Sequence, residues 1–552
     1  MSLGRSPTEE DIFRSSTEFC RERVQARSIY GLLHREGHRL FPDEAFADLF
    51  RDIGRASVPP RLVAVVMVLQ RIEGLSDREA VDRFTFDLRW KYAAGGLEYD
   101  YPGFVHTVLV DMRARLRRSE RPNRIFETAL EVAREAGFVG RTRVLDSTPL
   151  YDAVATQDTV TLIRSAIRGL LKLCDDGLAS ELRKCLRRDD NYSTPGKPPC
   201  DWDDAPAREA LLDALAQDAY AILAQLDGQP VSSELQQAVR LLATVVGQDI
   251  EQREDGVFRI VRGVAKDRVI STVDPEARHG HKTAARGFDG YKGHVAVDPG
   301  SEIITATEVT AGNVADGDAA ESLLADVLAE KPSETSSEEE RGRVAENTEE
   351  SPAQTPKNPS STVPSESAYE IYGDASYGTA ELVETIEGAG AKANVKVQAA
   401  VAPDGRFSKD AFAVDLVAQT VRCPAGAIVA IRKAKDGGGL AAFGVRCASC
   451  PQWSMCTANK EGRTIRIHPN EATLQRKRAE QKSPEWKSDY RHTRPKVERK
   501  LAHLMFRRHG GRRARMRGCS RVRQDFALLG AAHNLKRLAY LGVRRENGAW
   551  TA

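Results

Sequence analysis

The 552-residue chain has few cysteines, no long apolar run and almost no net charge. Nine cysteines are too few for a disulfide scaffold in a chain of this length, so free thiols or metal ligands are expected instead. No stretch approaches about 18 uninterrupted apolar residues, and the N-terminus lacks the apolar core of a secretion signal. These absences predict a cytoplasmic protein without membrane association. The 41% hydrophobic content is enough for several domain cores.

The net charge of +2 conceals two segments of opposite sign. Residues 486–537 hold 16 Lys or Arg against three acids, and residues 331–367 hold eight Glu against four Lys or Arg. A strongly basic segment attracts phosphates, so a nucleic-acid partner stays open despite the overall balance. The acidic run 331–367, rich in Ser, Pro and Thr, has too little apolar surface to offset its ordering entropy and is predicted to be a disordered insertion.

Residues 1–140 are predicted to form a helical domain. An apolar run over residues 60–72 stops at Gly74, and Ser76-Asp-Arg-Glu has the spacing of a capping box at the start of the next helix. A third helix over residues 105–118 ends in several arginines. Three short helices with a tight second turn resemble a helix-turn-helix module, which would place its second helix in the major groove of DNA. An ordinary helical bundle is the alternative.

Residues 141–400 and 485–545 are predicted to form a mixed α/β core. One strand is expected to end at Asp146, a hairpin turns at residues 298–301, a helix covers residues 315–330, and a further strand ends at Asp374. This order resembles the ribonuclease-H-like mixed sheet. Apolar positions at helical spacing predict about three helices in an insertion over residues 155–265, and residues 401–484 form a small β-rich insertion that contains a cysteine cluster.

Three acids stand out as candidate catalytic residues: Asp146, Asp374 and Glu498. Converging carboxylates can hold two magnesium ions, which suit phosphodiester chemistry because they activate the nucleophile and stabilise the leaving oxygen. Taken singly, each acid also has a structural explanation. The aspartates can cap turns, and Glu498 can form an i,i+4 salt bridge with Arg494.

The motifs around these acids resemble those of the DDE transposases of bacterial insertion sequences. The first acidic motif is matched by Asp146-Ser-Thr, the second by Gly-Asp374-Ala-Ser-Tyr-Gly, and the third by Arg494 with Glu498. The central hairpin of the family is matched by residues 274–278, 290–294 and 309–313. The third motif departs from its pattern Y-x2-R-x3-E-x6-K at two positions. Tyr490 lies one residue too far from Arg494, and Met505 stands where lysine is expected, with Arg507 or Arg508 as possible replacements.

The resemblance implies a bacterial, nucleoid-associated transposase that uses Mg²⁺ or Mn²⁺ bound by the three acids. It implies double-stranded DNA partners, namely terminal inverted repeats and target DNA, and a homodimer that bridges two ends. Glycines beside arginines in the basic segment let the backbone approach phosphates. The predicted DNA contacts are Arg494, Lys292, Arg507, Arg508, Arg512, Arg513 and Arg515.

Four late cysteines suggest a structural zinc site: Cys423, Cys447, Cys450 and Cys456. The Cys447-x2-Cys450 spacing supplies a tight knuckle for a tetrahedral ion, and similar transposases share the Cys-Pro pairs that begin at Cys423 and Cys450. Reduced thiols in a small core are the alternative.

Two other functions remain open from the sequence. The chain could be a catalytically inactive DNA-binding descendant of a transposase, or a metal-dependent nuclease that cuts without joining strands.

Overall fold

The computed structural model describes Ser2 and residues 15–152, 156–190, 192–283, 285–329 and 368–552. The acidic run 331–367 lies outside these residues, as does Glu330, the last residue of the helix predicted over 315–330. Within the described ranges, no helix combines the length and the apolar character needed to cross a membrane.

The N-terminal region is helical, as its sequence predicts. Pro60 opens the third helix, Gly74 ends it in the left-handed conformation, and the side chain and backbone of Ser76 form the predicted capping box with Glu79. The described residues of this region contain seven helices, of which the sequence analysis named the third, fourth and sixth. The seven helices are α1 (Ser16–Cys20), α2 (Ile29–Leu40), α3 (Pro60–Glu73), α4 (Asp77–Phe86), α5 (Leu88–Ala93), α6 (Thr107–Arg118) and α7 (Arg124–Glu135).

The first strand, β1 (Thr142–Tyr151), leads into a helical segment with a core of its own. That segment contains four described helices and a short hairpin, rather than three helices alone. Its elements are α8 (Thr159–Leu171), α9 (Asp176–Lys184), α10 (Ala205–Leu226), α11 (Ser233–Asp249), β2 (Ile250–Gln252) and β3 (Phe258–Ile260).

The chain then returns to the sheet that begins with β1. The helix predicted over residues 315–330 is divided, because a 3₁₀ turn at Asp316–Ala319 comes first and Leu324 leaves helical geometry. The elements of this part are β4 (Arg278–Thr283), β5 (Arg286–Val297), β6 (Ile304–Ala311), α12 (Ala320–Leu323), α13 (Ala325–Leu328), β7 (Glu370–Gly373), α14 (Ala380–Gly388) and β8 (Lys392–Val395).

The remaining described elements form three small sheets and the last helices. The strands are β9 (Ala413–Asp415), β10 (Thr420–Arg422), β11 (Ile428–Ala430), β12 (Arg432–Lys433), β13 (Gly439–Ala442), β14 (Thr464–Ile467), β15 (Arg544–Glu546) and β16 (Ala549–Thr551). The helices are α15 (Trp453–Cys456), α16 (Glu471–Glu480), α17 (Pro484–Thr493), α18 (Pro495–Leu504) and α19 (Cys519–Leu541).

The main sheet is mixed, in the order expected of a ribonuclease-H-like core. Its central strands run β6, β5, β1, β7 and β8, and β4 pairs with the first part of β5. Strand β5 is antiparallel to both of its neighbours, β6 and β1, whereas β1, β7 and β8 are parallel. The sheet therefore has the mixed α/β architecture that the sequence predicts.

Helices cover both faces of this sheet. On one face Leu145 and Ile371 pack against α12 and α14. On the other, α19 lies between the sheet and the N-terminal helices, so it is buried on almost all sides. Asn534 of α19 accepts a hydrogen bond from the Ile304 amide and donates one to its carbonyl, at 2.9 and 2.8 Å. The N-terminal helices and the sheet thus share one continuous hydrophobic core.

Candidate active site

Strands β1 and β7 bring the two aspartates together by their register. Parallel pairing between them ends at Val144 and Tyr372, and Asp146 and Asp374 each lie two residues further along. Because side chains alternate along a strand, residues two apart face the same way. The prediction that the first strand ends at Asp146 is wrong, since β5 continues to pair with β1 as far as Tyr151. Asp146 instead lies within β1, two residues beyond the point where β7 stops pairing, so the edge of β1 that faced β7 is unpaired there.

Glu498 reaches this opening from α18, which packs against β1. Pro495 occupies the first turn of α18, where the absence of a backbone N–H costs nothing. The preceding helix, α17, is anchored to β7 because the Tyr490 hydroxyl donates to the Gly373 carbonyl at 3.1 Å. Trp486 stacks on Tyr490 with ring centroids 4.7 Å apart. Tyr490, one residue away from its expected motif position, therefore positions α17 and α18 over the strand ends.

The three acids converge on the guanidinium of Arg494. Its Nη2 lies 2.9 Å from Asp146 Oδ1 and 3.8 Å from Asp374 Oδ2, and its Nη1 lies 3.6 Å from Glu498 Oε1. Side-chain exposure rises from 7% for Arg494 and 13% for Asp146 to 42% for Asp374 and 62% for Glu498. Asp146 is thus the fixed member of the trio, and Glu498 is the one open to solvent.

Burial and neighbouring opposite charge have opposing effects on the pKa values of Asp146 and Arg494. Burial raises the pKa of Asp146, with a smaller contribution from Asp374, and Arg494 opposes the rise. Burial disfavours the charge of Arg494, but Asp146 and Asp374 raise its pKa overall. Burial and the surrounding carboxylates also raise the pKa of Tyr377, so its hydroxyl stays protonated. The site is a concentration of negative charge that favours a cation.

A fourth acid, Asp316, lines the same pocket and was missed by the sequence reasoning. It accepts a hydrogen bond from Ser147 Oγ at 2.7 Å and forms an ion pair with Lys292 Nζ at 2.8 Å. The only sequence signal for Asp316 is its position three residues after Asn313, which ends the last segment of the predicted central hairpin, residues 309–313. Lys292, predicted to contact DNA, therefore has an internal partner beside Asp146.

The acids line a pocket of about 900 Å³ whose walls are rich in cations. The basic segment contributes Arg512 to this wall, whereas Arg507 and Arg508 are exposed and do not line it. Neither of them takes the place of the missing motif lysine in this pocket. Arg515 is also engaged elsewhere, because it donates to the Leu75 carbonyl. The cationic side chains of the wall are Lys282, Lys292, Arg478, Arg494 and Arg512.

The four predicted zinc ligands line one pocket of about 200 Å³ in the small β-rich region. Burial raises the pKa of the Cys456 thiol, and the other three thiols add to that rise, which reflects their proximity. Among the described residues, no group of three or more His, Cys, Asp or Glu side chains has the arrangement of a preformed metal site.

Three transposase family models match separate parts of the chain and together cover more than half of it. A "Transposase domain (DUF772)" matches residues 22–115, and two models described as "Transposase DDE domain" match residues 247–335 and 422–539. Lys292 and Asp316 fall within the second match, and Arg494 and Glu498 within the third, while Asp146 and Asp374 lie between the matches. No curated protein and no solved structure matches the chain significantly. The matches and the sheet topology agree, and the chain belongs to the DDE transposases of the insertion-sequence type.

Proposed function

We propose that this chain binds the terminal inverted repeats of its element and cleaves and transfers DNA strands at Asp146, Asp374 and Glu498. The single observation that carries the proposal is the convergence of these acids on Arg494, in a pocket of about 900 Å³ beside other cationic side chains. Carboxylates supply the chemistry of a metal site, and cations supply the chemistry of a phosphate site. DNA cleavage needs both.

The donor set suits Mg²⁺ or Mn²⁺, because hard divalent ions prefer carboxylate oxygens. The Arg494 guanidinium, itself a cation, already faces all three acids, which supports their ability to hold positive charge. When bound, two such ions would activate the attacking oxygen and stabilise the leaving oxygen. Asp146, Asp374 and Glu498 are the residues proposed to hold them.

The other side chains of the pocket have separate proposed tasks. Asp146 is buried and hydrogen-bonded, so it would hold a bound metal ion, and through that ion the reacting phosphate, in a fixed position. Lys292 and Arg512 both line the pocket and neutralise phosphate oxygens, with Lys292 oriented by Asp316. Arg494 counters the charge of the acids and contacts the phosphate when DNA enters. Arg507, Arg508, Arg513 and Arg515 remain proposed backbone contacts outside this pocket.

A cleavage assay tests the proposal. Duplexes that carry the inverted repeats flanking the reading frame are incubated with the protein and Mg²⁺. Asp146→Asn, Asp374→Asn and Glu498→Gln are expected to bind these duplexes normally and to lose strand cleavage by at least a hundredfold. Glu485→Gln, an exposed acid on α17, is the matched control and should cut like wild type. A variant that cuts normally would remove its acid from the proposed site.

The same assay distinguishes a transposase from the two alternative functions, a DNA-binding protein without catalysis and a nuclease. Wild-type protein that binds the ends without cutting would be a transposase-derived DNA-binding protein. Protein that cuts without joining the 3′ end to a target would be a nuclease. A homodimer that bridges two ends is proposed as well, and sedimentation with one and two labelled ends tests it.

We also propose that Cys423, Cys447, Cys450 and Cys456 bind a structural zinc ion. The support is their common pocket and their thiolate chemistry. Metal analysis of purified protein should find one zinc per chain, and Cys447→Ser should lose it. Cys185→Ser, far from the cluster in sequence, should retain it. Zinc-free wild-type protein purified without chelators would refute this proposal.

A further inference from the structure

A second cleft, with a volume of about 650 Å³, lies between the N-terminal helices and the basic segment. Its walls come from the start of α4, from α6 and from the chain between Gly510 and Arg521. Five arginines line it, two from α6 and three from the basic segment. They are Arg113, Arg117, Arg513, Arg515 and Arg521. We call it the arginine cleft.

The positive charge of the arginine cleft is largely uncompensated. Asp77 is the one acid among its described lining residues, and it forms an ion pair with Arg113. Arg117 donates to the neutral side chain of Gln524 at 3.0 Å. Arg515 donates to a backbone carbonyl through one terminal nitrogen, while its Nη1 is buried without a hydrogen-bond partner among the described residues. Such a site attracts an anion.

Arg513 and Arg521 are exposed, and neither forms an ion pair with a described acid. Burial and the nearby Arg521 and Arg113 lower the pKa of Arg117, as expected for like charges held close together. An arginine cluster of this kind is more favourable with phosphates bound than without them.

Direct contacts between the N-terminal helices and the basic segment hold the walls of the cleft in place. The turn between α3 and α4 packs directly on the basic segment, because a Cβ on Gly74 would lie 1.9 Å from the Arg508 carbonyl oxygen. Arg71 of α3 donates to the His509 carbonyl at 2.9 Å and pairs with Asp525 of α19 at 3.2 Å. The walls are therefore preorganised for a ligand.

The cleft and the candidate active-site pocket lie on either side of one short segment of the chain. The Ala514 amide donates to the Tyr151 carbonyl at 2.8 Å, and the Tyr151 amide donates to the Arg512 carbonyl at 2.7 Å, so residues 512–514 extend alongside the end of β1. Consecutive side chains of an extended segment point in opposite directions. Arg512 accordingly lines the active-site pocket, and Arg513 lines the arginine cleft.

The helix-turn-helix interpretation of the N-terminal region would place α4 in the major groove. The exposed side of α4 carries Glu79 and Asp82 beside Arg78, so its charge does not favour phosphates. The arginines of α6 and of the basic segment form the stronger match for a DNA backbone.

We propose that the arginine cleft binds the phosphate backbone of duplex DNA next to the scissile bond and guides that strand to the acids. The proposal rests on the function proposed above, because the bound DNA is the substrate of that site. Phosphate contacts of this kind set register and affinity without reading sequence.

The salt dependence of binding tests the arginine cleft. Binding of a fluorescent duplex is measured without divalent metal, over a range of KCl concentrations, for wild type and Arg513→Gln/Arg521→Gln. The slope of log K against log salt is expected to become shallower by about 2, since each lost phosphate contact removes about 0.9. At low salt the Kd should rise at least about tenfold, equally for specific and unrelated sequences.

Matched variants control the measurement. Arg513→Lys/Arg521→Lys keeps the charges and should keep the wild-type slope. Arg240→Gln/Arg262→Gln removes two exposed arginines of the helical segment before β4 and should also keep it. Thermal melting verifies that each variant is folded.

A wild-type slope for the glutamine variant would overturn the proposal. If the glutamine variant lost affinity only for a single-stranded oligonucleotide, the assignment to duplex DNA would be overturned. Adding Mg²⁺ to the same samples separates this inference from the function above. If wild type cuts while the glutamine variant keeps its slope, the cleft alone is refuted. If wild type binds with the expected slope difference but does not cut, the proposed function alone is refuted.

Discussion

Arg494 binds Asp146 through both terminal nitrogens of its guanidinium, although 348 residues separate the two in sequence. Nη2 lies 2.9 Å from Oδ1, and Nη1 lies 3.3 Å from Oδ2. The pair is nearly buried, and it joins α18 to the central strand of the sheet. Arg494 therefore positions the acids and balances their charge, in addition to its proposed contact with DNA.

Removal of Arg494 is expected to destabilise the protein in the absence of divalent metal. Arg494→Gln leaves Asp146 as a buried carboxylate without its cation, a change that costs about 3 kcal/mol. Urea unfolding in the presence of EDTA measures this cost. Mn²⁺ should then raise the melting temperature of Arg494→Gln more than that of wild type, because the variant lacks the competing guanidinium.

Arg499→Gln is the matched control for Arg494. Arg499 lies on α18, the helix that begins directly after Arg494, and pairs with Glu302 through a half-exposed guanidinium. Loss of such a pair costs about 1 kcal/mol or less. Equal losses for the two variants, or equal responses to Mn²⁺, would contradict the role assigned to Arg494.

The ion pair between Lys292 and Asp316 is expected to support cleavage from beside Asp146. Asp316→Asn should reduce strand cleavage at least tenfold while DNA binding persists, because Ser147 and Lys292 lose their charged partner. Lys292→Met should also destabilise the fold, because it leaves a buried carboxylate unpaired. Single-turnover cleavage and urea unfolding measure the two effects.

The double variant Lys292→Met/Asp316→Asn distinguishes structure from chemistry. It should recover much of the stability lost in Lys292→Met, because no unpaired charge remains, yet stay inactive. Cleavage restored along with stability would mean that the pair is only structural.

Gly74 is expected to resist substitution for two separate reasons. Its φ of +71° is strained for a residue with a Cβ, and that Cβ would collide with the Arg508 carbonyl. Gly74→Ala should therefore cost more than Gly137→Ala, whose φ is +75° but whose Cβ would have nothing within 4 Å. The control should cost about 1 to 2 kcal/mol, the penalty of a Cβ in the left-handed region. Equal losses in urea unfolding would show that the contact with the basic segment adds nothing.

Features of the fold that depend on neighbouring residues were predictable from the sequence. The helix stop at Gly74 and the cap at Ser76 are set within a few residues, and both appear where the pattern indicated. Asp374 follows its strand for the same reason, since an apolar run ends there. Interactions between nearby residues operate in almost any tertiary context.

Features that depend on distant partners were not predictable. Nothing near Asp146 reveals that β5 extends β1 beyond it, and nothing near Asp316 reveals its pairing with Lys292. The basic segment is a row of arginines in the sequence, yet the structure places Arg512 in the active-site pocket and Arg513 and Arg515 in the arginine cleft. That separation follows from the pairing of residues 512–514 with the end of β1, a contact between segments more than 350 residues apart.

Lys500, buried on α18, is expected to make stability depend on pH. Burial lowers its pKa from 10.5 to about 8, with Glu302 partly opposing the shift. Between these values the unfolded chain holds a proton that the folded chain has released, so its contribution to stability increases with pH.

Lys500→Met removes the cost of burying the charge and should be more stable than wild type by about 3 kcal/mol at pH 7. Urea unfolding from pH 7 to 10 should show that this stability advantage decreases as the pH rises above about 8. Lys496→Met, on the same helix, serves as the control. An advantage of Lys500→Met that does not change with pH would exclude titration of Lys500 as its cause.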